Sequence, residues 1–455
     1  MRRHVIIGRF GPSDTDSVST APEETPTRLE FVTSGSRLEH GIGEALDDLM
    51  KMNVFPTEVG VDLLVLAAHV QAADTRISRT TESQDNWTRE IHIVVPVSDV
   101  NRWNATTLML GRLLNFLTGD YWTVQFRPRP NGFDTIVNRG ACQLAGPPFD
   151  FLTLFSGGLD SLIGSITSLE HGQTPLLISH AAEGATSSSQ ATLFRKLKNY
   201  YPARMFDRLR IWMTFPDGLV SNVASENTTR GRSFLFVATG VFAGTGLNRP
   251  FILRVPENGF IAINVPLDQL RLGALSTRTT HPFYIARWND FLAALGISGQ
   301  IENPYWDKTK GDMIEACPNR ALLTSLIPDA LSCSSPTKGR WQGQGIGHCG
   351  YCLPCLIRRA AILRGLGSPD PTSYGISELS GKTLNSQKAD GQQIRSFQFA
   401  IERLRRRPNL ASLLIHKPGP LFDESPARQS TLAEVYGRGL SEVAVLLTNV
   451  CSAPS

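Results

Sequence analysis

The sequence of 455 residues has no long hydrophobic run and little net charge. No apolar stretch approaches the roughly 20 residues that cross a bilayer, and the apolar run that follows Met1 is too short for a signal peptide. We therefore expect a cytoplasmic protein with no membrane contact. The formal net charge of +4 permits contacts with phosphates or an acidic partner, but it does not indicate a nucleic-acid-binding protein.

The chain also lacks internal repeats, low-complexity tracts and the Gly-x-x-x-x-Gly-Lys-Ser/Thr sequence of P-loop proteins. It has instead a hexapeptide between an apolar run, 149–155, that predicts a buried strand and a stretch, 160–171, that predicts a helix. The hexapeptide consists of Ser156, Gly157, Gly158, Leu159, Asp160 and Ser161. Glycines let the backbone turn sharply, and a helix N-terminus attracts negative charge. The pattern predicts a phosphate site, and the alternative is an ordinary turn.

The hydrophobic pattern divides the chain into three parts. The first, 1–145, combines a mobile loop over 11–28 with predicted helices at 61–73 and 105–117 and strands at 90–97 and 122–126. The second, 149–366, alternates strands at 175–179 and 209–214 with helices at 188–200 and 233–245, which predicts a parallel sheet with ligands beyond the carboxyl ends of its strands. The third, 367–455, has predicted helices at 392–406 and 431–447.

Cysteine is scarce, and four of the seven cysteines are grouped, which is not the pattern of a disulfide scaffold. The grouped residues are Cys333, Cys349, Cys352 and Cys355. Their spacing suits tetrahedral Zn²⁺ in a closed structural site that could clamp a loop. An iron–sulfur cluster and a set of free buried thiols are the alternatives. His348 is a substitute ligand, strained by its place beside Cys349. The nearby run 343–347 superficially matches a dinucleotide fingerprint but follows no strand, so we interpret it as a flexible loop.

The hexapeptide resembles the PP-loop of ATP pyrophosphatases, which split ATP between the α and β phosphates. Together with the later cysteines it resembles the QueC family of 7-cyano-7-deazaguanine synthases over about residues 149–366. Further matching blocks are Arg230–Leu235, Asn303–Tyr305, Lys308–Lys310 and Cys355–Arg358. Two features depart from that family: a longer gap between Cys333 and Cys349, and extra residues at both ends. The larger architecture, with blocks at 72–76 and 276–282, resembles the QatC family, the QueC-like members of a bacterial four-gene anti-phage defence system.

This resemblance implies a Rossmann-type α/β core with a parallel sheet and a zinc-knuckle loop, preceded by an extra α+β domain and followed by a helical extension. It also implies a ligase that uses ATP, Mg²⁺ and Zn²⁺ and acts on a 7-deazaguanine carboxylic acid. The carboxylate attacks the α-phosphate, pyrophosphate leaves, and the acyl adenylate reacts with an amine to form a C–N bond.

The resemblance also implies roles for individual residues. Ser156, Gly157, Gly158 and Ser161 would bind pyrophosphate, and Asp160 would hold Mg²⁺ or orient the loop. Arg232 and Lys310 would be cationic partners of the phosphates or of the charge that develops in the reaction. The alternatives are that Asp160 only caps the helix and that Lys310 is a solvated surface residue.

The acceptor amine stays open at this point. Ammonia would lead to 7-cyano-7-deazaguanine, whereas an amine of a partner protein (QatB-like) would give a protein conjugate. A scaffold that binds ATP without chemistry is a second class of function. A tRNA thiolase is a third, and it would need a reactive cysteine, for which only Cys142 is close to the loop in sequence. The basic run 403–407 could contact phosphates, although a solvated helix end is the commoner meaning.

A group of charged and aromatic residues in the first part gives the least guidance. It contains Asp74, Arg76, Arg79, Trp87 and Arg89. These residues either form a surface for a partner or an internal corner of salt bridges, and the internal corner is the commoner outcome.

Overall fold

The computed structural model describes residues 3–84, 86–138, 146–181, 184–228, 230–268, 278–338, 345–367 and 369–454. Two parallel sheets, of four and five strands, organise this part of the chain. The predicted parallel sheet after residue 149 is thereby confirmed. Cys142, Ser276 and Thr277 and the first half of the 343–347 run lie outside the described residues.

The first sheet contains four strands in the order β2-β1-β3-β4, and all neighbours are parallel. Its strands are β1 (Arg3–Arg9), β2 (Glu24–Glu30), β3 (Glu90–Val97) and β4 (Tyr121–Pro128). The expectation of an α+β domain is wrong, because the sheet is purely parallel and helices connect β2 to β3 and β3 to β4, which is an α/β arrangement. The prediction of a loop over 11–28 is wrong for its last five residues, because strand β2 begins at Glu24 and pairs with β1 along its length.

The second sheet has the order β7-β6-β5-β8-β9, also entirely parallel. Its strands are β5 (Phe151–Leu154), β6 (Pro175–His180), β7 (Asp207–Ile211), β8 (Phe251–Arg254) and β9 (Gly299–Glu302). Along the chain, β6 and β7 are added on one side of β5, and β8 and β9 are then added on its other side. The order therefore reverses between β5 and β8, which is where open α/β sheets bind ligands.

The helices of the first part are α1 (Ile42–Lys51), α2 (Glu58–Arg76), α3 (Arg79–Glu82), α4 (Val100–Asn104) and α5 (Thr107–Thr118). The helix predicted over 105–117 is in fact α5, separated from α4 by Ala105 and Thr106. Helix α2 is buried along nearly its whole length because it packs between β3 and a helix of the second sheet. One hydrophobic cluster runs through this contact and joins the two sheets.

The helices around the second sheet are α6 (Leu159–Glu170), α7 (Gly184–Tyr200), α8 (Arg232–Gly244), α9 (Gly259–Ile263), α10 (Pro282–Ala294), α11 (Lys310–Glu315), α12 (Arg320–Leu326) and α13 (Leu353–Leu366). Helix α8 is the partner of α2. Their close approach depends on Gly60, where a Cβ atom would lie 2.4 Å from Thr245 Oγ1.

The last part is helical, as predicted, with a short ladder of two parallel strands. It contains β10 (Leu384–Asn385), α14 (Ala389–Arg406), α15 (Ala411–Leu414), α16 (Pro426–Leu446) and β11 (Ser452–Ala453). Helix α16 packs against α9, α13 and α14, around its own hydrophobic cluster. In the described ranges, no helix combines the length and the apolar character that crossing a membrane requires.

Candidate functional site

The hexapeptide forms a tight loop between the central strand β5 and helix α6. We call residues 156–161 the glycine loop. Gly157 has a φ of +80°, a left-handed conformation that favours glycine. A Cβ atom there would lie 3.0 Å from Gln190 Cγ and 3.2 Å from the Gln190 backbone nitrogen. The turn is therefore possible only because both the backbone conformation and the space around it suit a glycine.

The polar side chains of the glycine loop converge on one another. Ser156 Oγ and Ser161 Oγ lie 3.2 Å apart, and Ser161 Oγ donates to the carbonyl oxygen of Gly158 at 3.0 Å. Helix α6 begins immediately after Gly158, which makes no side-chain cap. Two hydroxyl groups and a helix N-terminus therefore meet at the carboxyl end of β5, an arrangement suited to phosphate oxygens.

Asp160 connects the loop to the segment that follows β8. Its Oδ2 accepts hydrogen bonds from the backbone nitrogen of Asn258 at 3.1 Å and from Asn258 Nδ2 at 2.7 Å. Its Oδ1 lies 3.0 Å from Lys310 Nζ. Asp160 is thus not a helix cap, and Lys310 is not a solvated surface residue, being only 7% exposed. The carboxylate bridges α6, α9 and α11 across the point where the strand order reverses.

A second carboxyl group, that of Glu257, lies in the same region. Glu257 closely follows β8, and its Oε2 accepts a hydrogen bond from Thr280 Oγ1. Burial, together with the negative charge of Asp160, raises the pKa of Glu257 to about 7, although the Thr280 hydrogen bond and the charge of Lys310 oppose the shift. Glu257 is therefore close to half ionised at neutral pH.

These groups line a cavity of about 380 Å³, within the range of small-molecule sites. The glycine loop and the segment that follows β8 contribute part of its lining. Residues of α9, α13 and α14 also line the cavity, and most of them are apolar. They include Ile261, Leu353, Pro354, Ile357 and Gln393. The lining of the cavity thus combines polar groups with apolar side chains.

The predicted grouping of four cysteines is confirmed. The sulfur atoms of Cys333, Cys349, Cys352 and Cys355 all lie within 4.8 Å of one another. The backbone nitrogen of Cys352 donates to Cys349 Sγ at 3.3 Å. Hydrogen bonds from the other three thiols, chiefly from Cys333, lower the pKa of Cys352 well below its usual range. Four sulfur atoms at this separation could hold a metal such as zinc.

His348 does not join this group, because its ring is engaged elsewhere. Its Nε2 accepts a hydrogen bond from the backbone nitrogen of Ser332 at 3.1 Å. Burial and the neighbouring charge of Arg358 lower the pKa of His348 to about 3, so the ring is neutral. The alternative ligand considered from the sequence is therefore a structural residue.

The segment that carries Cys333 also contacts the glycine loop. The backbone nitrogen of Leu331 donates to the carbonyl oxygen of Gly157 at 2.9 Å, and Ser332 Oγ lies 3.5 Å from the backbone nitrogen of Leu159. Arg358, fully buried, donates to the carbonyl oxygens of Ala330 at 3.0 Å and of Ile327 at 2.6 Å. The cysteine cluster and the glycine loop are therefore neighbours joined by one short segment.

The structure brings Lys310 to the loop but places Arg232 elsewhere. Arg232 does not belong to the cavity lining given by the described residues. Its guanidinium carbon lies 5.5 Å from the ring centre of Phe236, and its charge adds to the burial that lowers the pKa of His180 to about 4. Arg232 thus lies near His180, at the end of β6.

The charged group of the first part forms an internal corner of salt bridges. Arg89 Nη2 lies 3.0 Å from Asp74 Oδ1 and 2.7 Å from Asp120 Oδ2, and all three residues are buried. Asp74 Oδ2 also accepts from the backbone nitrogen of Gly231 at 2.7 Å, directly before α8. Trp87 keeps an exposed face. Most of this cluster therefore joins the two sheets rather than offering a surface to a partner.

Sequence reasoning missed Glu257, Asn258, Thr280 and Ser332. Glu257 and Asn258 follow a short apolar run, 251–255, and precede Gly259, so a strand end with polar residues was the available signal. Thr280 and Ser332 carry no such signal, because only the tertiary structure brings Thr280 to Glu257 and Ser332 to the cavity. Comparisons of the chain with protein-family models, with curated proteins and with solved structures found no match.

Proposed function

We propose that this chain uses ATP to adenylate a carboxylic acid and then transfers the acyl group to an amine, with a 7-deazaguanine carboxylic acid as the substrate. One observation carries the proposal. The glycine loop, with its paired hydroxyl groups and left-handed Gly157, faces a cavity at the reversal point of the parallel sheet, next to the buried ion pair of Asp160 and Lys310. The resemblance of the hexapeptide to the PP-loop gives this arrangement a reaction.

In this proposal the glycine loop binds the β and γ phosphates of ATP. Ser156 and Ser161 offer hydroxyl groups, and the N-terminus of α6 offers its dipole. Lys310 supplies positive charge toward the α-phosphate, where charge develops as the carboxylate attacks. The apolar residues of the cavity lining suit the ring of a heteroaromatic acid, and Gln393 offers a polar group to it. Positioning and charge stabilisation are then the main sources of rate acceleration.

The geometry favours one of the two roles expected for Asp160. Both oxygen atoms already have partners, Lys310 on one and Asn258 on the other. A metal ion bound to Asp160 would have to displace the ammonium group of Lys310. We therefore assign Asp160 the task of orienting the loop and Lys310. Mg²⁺ then belongs to the ATP phosphates, whose charge it would neutralise.

We further propose that the four cysteines hold Zn²⁺ as a structural ion. Four sulfur ligands leave no open position, which is typical of structural zinc. When bound, the ion would fix the segment that contains Leu331 and Ser332, and that segment contacts the glycine loop. The residues Cys333, Cys349, Cys352 and Cys355 would therefore contribute to the shape of the nucleotide site without taking part in the reaction.

The acceptor that we propose is an amine of a partner protein from the same anti-phage defence system. The extra sheet and the helical extension support this choice, because a synthase that uses ammonia needs neither. A partner whose intact mass rises after incubation with the enzyme, ATP, Mg²⁺ and 7-carboxy-7-deazaguanine would support it. Formation of 7-cyano-7-deazaguanine from ammonia, with no change in the mass of any partner, would identify the simpler synthase.

The test of the proposed reaction is the release of pyrophosphate and AMP from ATP in the presence of 7-carboxy-7-deazaguanine. We expect release that depends on the acid and that falls by at least about 100-fold in Ser161→Ala. Ser168→Ala, in the next turns of α6, removes a hydroxyl that donates only to the carbonyl oxygen of Gly164 and is the matched control. ATP binding without release, with or without partner proteins, would indicate the scaffold.

A further inference from the structure

Two carboxyl groups line the cavity among the described residues, and only one of them has a role so far. Asp160 is committed to Lys310 and Asn258. We propose that Glu257 is the general base that removes the proton from the attacking amine in the acyl-transfer step. This inference rests on the function proposed above and assigns that reaction a further catalytic residue.

The position of Glu257 is fixed by its surroundings. Asn303 Nδ2 donates to the carbonyl oxygen of Glu257 at 2.7 Å, and Asn303 Oδ1 lies 3.4 Å from the Glu257 backbone nitrogen. Thr280 Oγ1 donates to Oε2 of the side chain. These three contacts come from the residue that follows β9 and from the residues before α10. They hold the carboxyl group beyond the carboxyl end of β8, in the wall of the cavity.

The charges around Glu257 suit a base that works at neutral pH. The charged groups that face it are Asp160 from α6 and Lys310 from α11, while Thr280 is a neutral donor. Burial and Asp160 favour the protonated form, and Thr280 and Lys310 favour the carboxylate. The resulting pKa of about 7 lies where a general base is most effective, because the group is partly ionised yet basic enough to accept a proton.

The step balances without any further reactant. The nitrogen lone pair of a neutral amine attacks the carbonyl carbon of the acyl adenylate and forms the C–N bond. The proton of that nitrogen moves to the Glu257 carboxylate, and the bond between the carbonyl carbon and the AMP oxygen breaks, so that AMP leaves with the electron pair. Glu257 then releases the proton to solvent.

Hydroxylamine separates this step from adenylation, because it is largely neutral at pH 7.5 and attacks acyl adenylates without a base. The variant Glu257→Gln keeps the shape of the side chain and an oxygen that can accept from Thr280. We expect it to form hydroxamate within about twofold of the native rate. Amide formation, with ammonium chloride or a peptide amine as the acceptor, should fall by about 100-fold or more. Glu302→Gln, at the end of the neighbouring strand β9 and paired with Arg254, is the control and should change neither rate.

A second variant tests the pH dependence and does not depend on Glu257→Gln folding. Thr280→Val removes the hydrogen bond that lowers the pKa of Glu257, so the pH at which amide formation reaches half its maximum should rise. Equal losses of hydroxamate and amide in Glu257→Gln, unchanged amide formation, or an unshifted profile in Thr280→Val would each overturn the assignment of Glu257. Absence of hydroxamate from the native enzyme would instead refute the proposed function, and this inference with it.

Discussion

Replacing Lys310 by Met should destabilise the fold, and a second substitution should reverse much of that loss. Two unit charges 3.0 Å apart attract each other by about 5.5 kcal/mol at an effective dielectric constant of about 20. Removing one partner of a buried pair costs roughly 3–5 kcal/mol, because it leaves the other charge without compensation. The two hydrogen bonds from Asn258 still support Asp160. We therefore expect Lys310→Met to lower the free energy of unfolding by about 2–4 kcal/mol.

The double variant Asp160→Asn/Lys310→Met removes the uncompensated charge and keeps an oxygen that can accept from Asn258. It should recover about 1–3 kcal/mol relative to Lys310→Met, the size of coupling found between residues in contact. Unfolding in urea gives these values from the midpoint and slope of the transition. Pyrophosphate release should be absent from both variants, since both lack the Lys310 charge.

This pair of measurements distinguishes stability from function. A double variant that is no more stable than Lys310→Met would refute the reasoning, because the two charges would then not be coupled. A double variant that recovers both stability and pyrophosphate release would refute the role proposed for Lys310 at the phosphates. It would still support the energetic coupling between Asp160 and Lys310.

Three further predictions concern the loop, the pH dependence and the metal. Gly157→Ala should lower the free energy of unfolding by about 2–3 kcal/mol, because of backbone strain and crowding. Gly296→Ala should lower it by about 1 kcal/mol, because φ there is +65° and the surroundings are open. Equal losses in urea unfolding would contradict this prediction. The free energy of unfolding should fall as the pH drops from 6.5 toward 4, by up to about 1.4 kcal/mol per pH unit for each buried neutral histidine. The reason is that the unfolded chain binds protons at these histidines that the folded chain does not. Urea midpoints that stay constant over this pH range would contradict the prediction. The histidines concerned are His69, His180 and His281. Burial lowers the pKa of His69 and of His180 to about 4 and that of His281 to about 3. Elemental analysis should find about one zinc ion per native chain, and Cys352→Ser should lose that zinc and become sensitive to proteolysis; equal metal content in the two proteins would refute the assignment of the four cysteines.

The sequence pattern predicts the core of the second sheet well because the signals there are local. A buried apolar run, a pair of glycines and an amphipathic helix follow one another without a break, and the structure has them as β5, the glycine loop and α6. The four cysteines were predictable for the same reason, since metal ligands keep a tight spacing. Gly157 has a left-handed backbone conformation. Because glycine adopts this conformation without strain, its presence in the sequence predicts the turn.

The other features depend on contacts between distant residues. Strands β8 and β9 have only four residues each, as β5 does, but no pair of glycines follows them to mark a turn into a helix. The pairing of β2 with β1 gives Glu24–Glu30 its extended conformation, although its composition resembles a loop. Asn258 reaches Asp160 only because β8 lies beside β5 in the sheet. The surroundings of Arg232 likewise depend on tertiary packing, which places its charge near His180 at the end of β6.

The most direct test of the central claim follows an isotope through the reaction. The enzyme is incubated with ATP, Mg²⁺, an acceptor amine and 7-carboxy-7-deazaguanine whose carboxylate carries ¹⁸O, and the AMP is analysed by mass spectrometry. Attack of the carboxylate on the α-phosphate predicts AMP with one ¹⁸O atom, because the carboxylate oxygen stays on phosphorus when the amide forms. Unlabelled AMP, or label in inorganic phosphate, would contradict an acyl-adenylating enzyme.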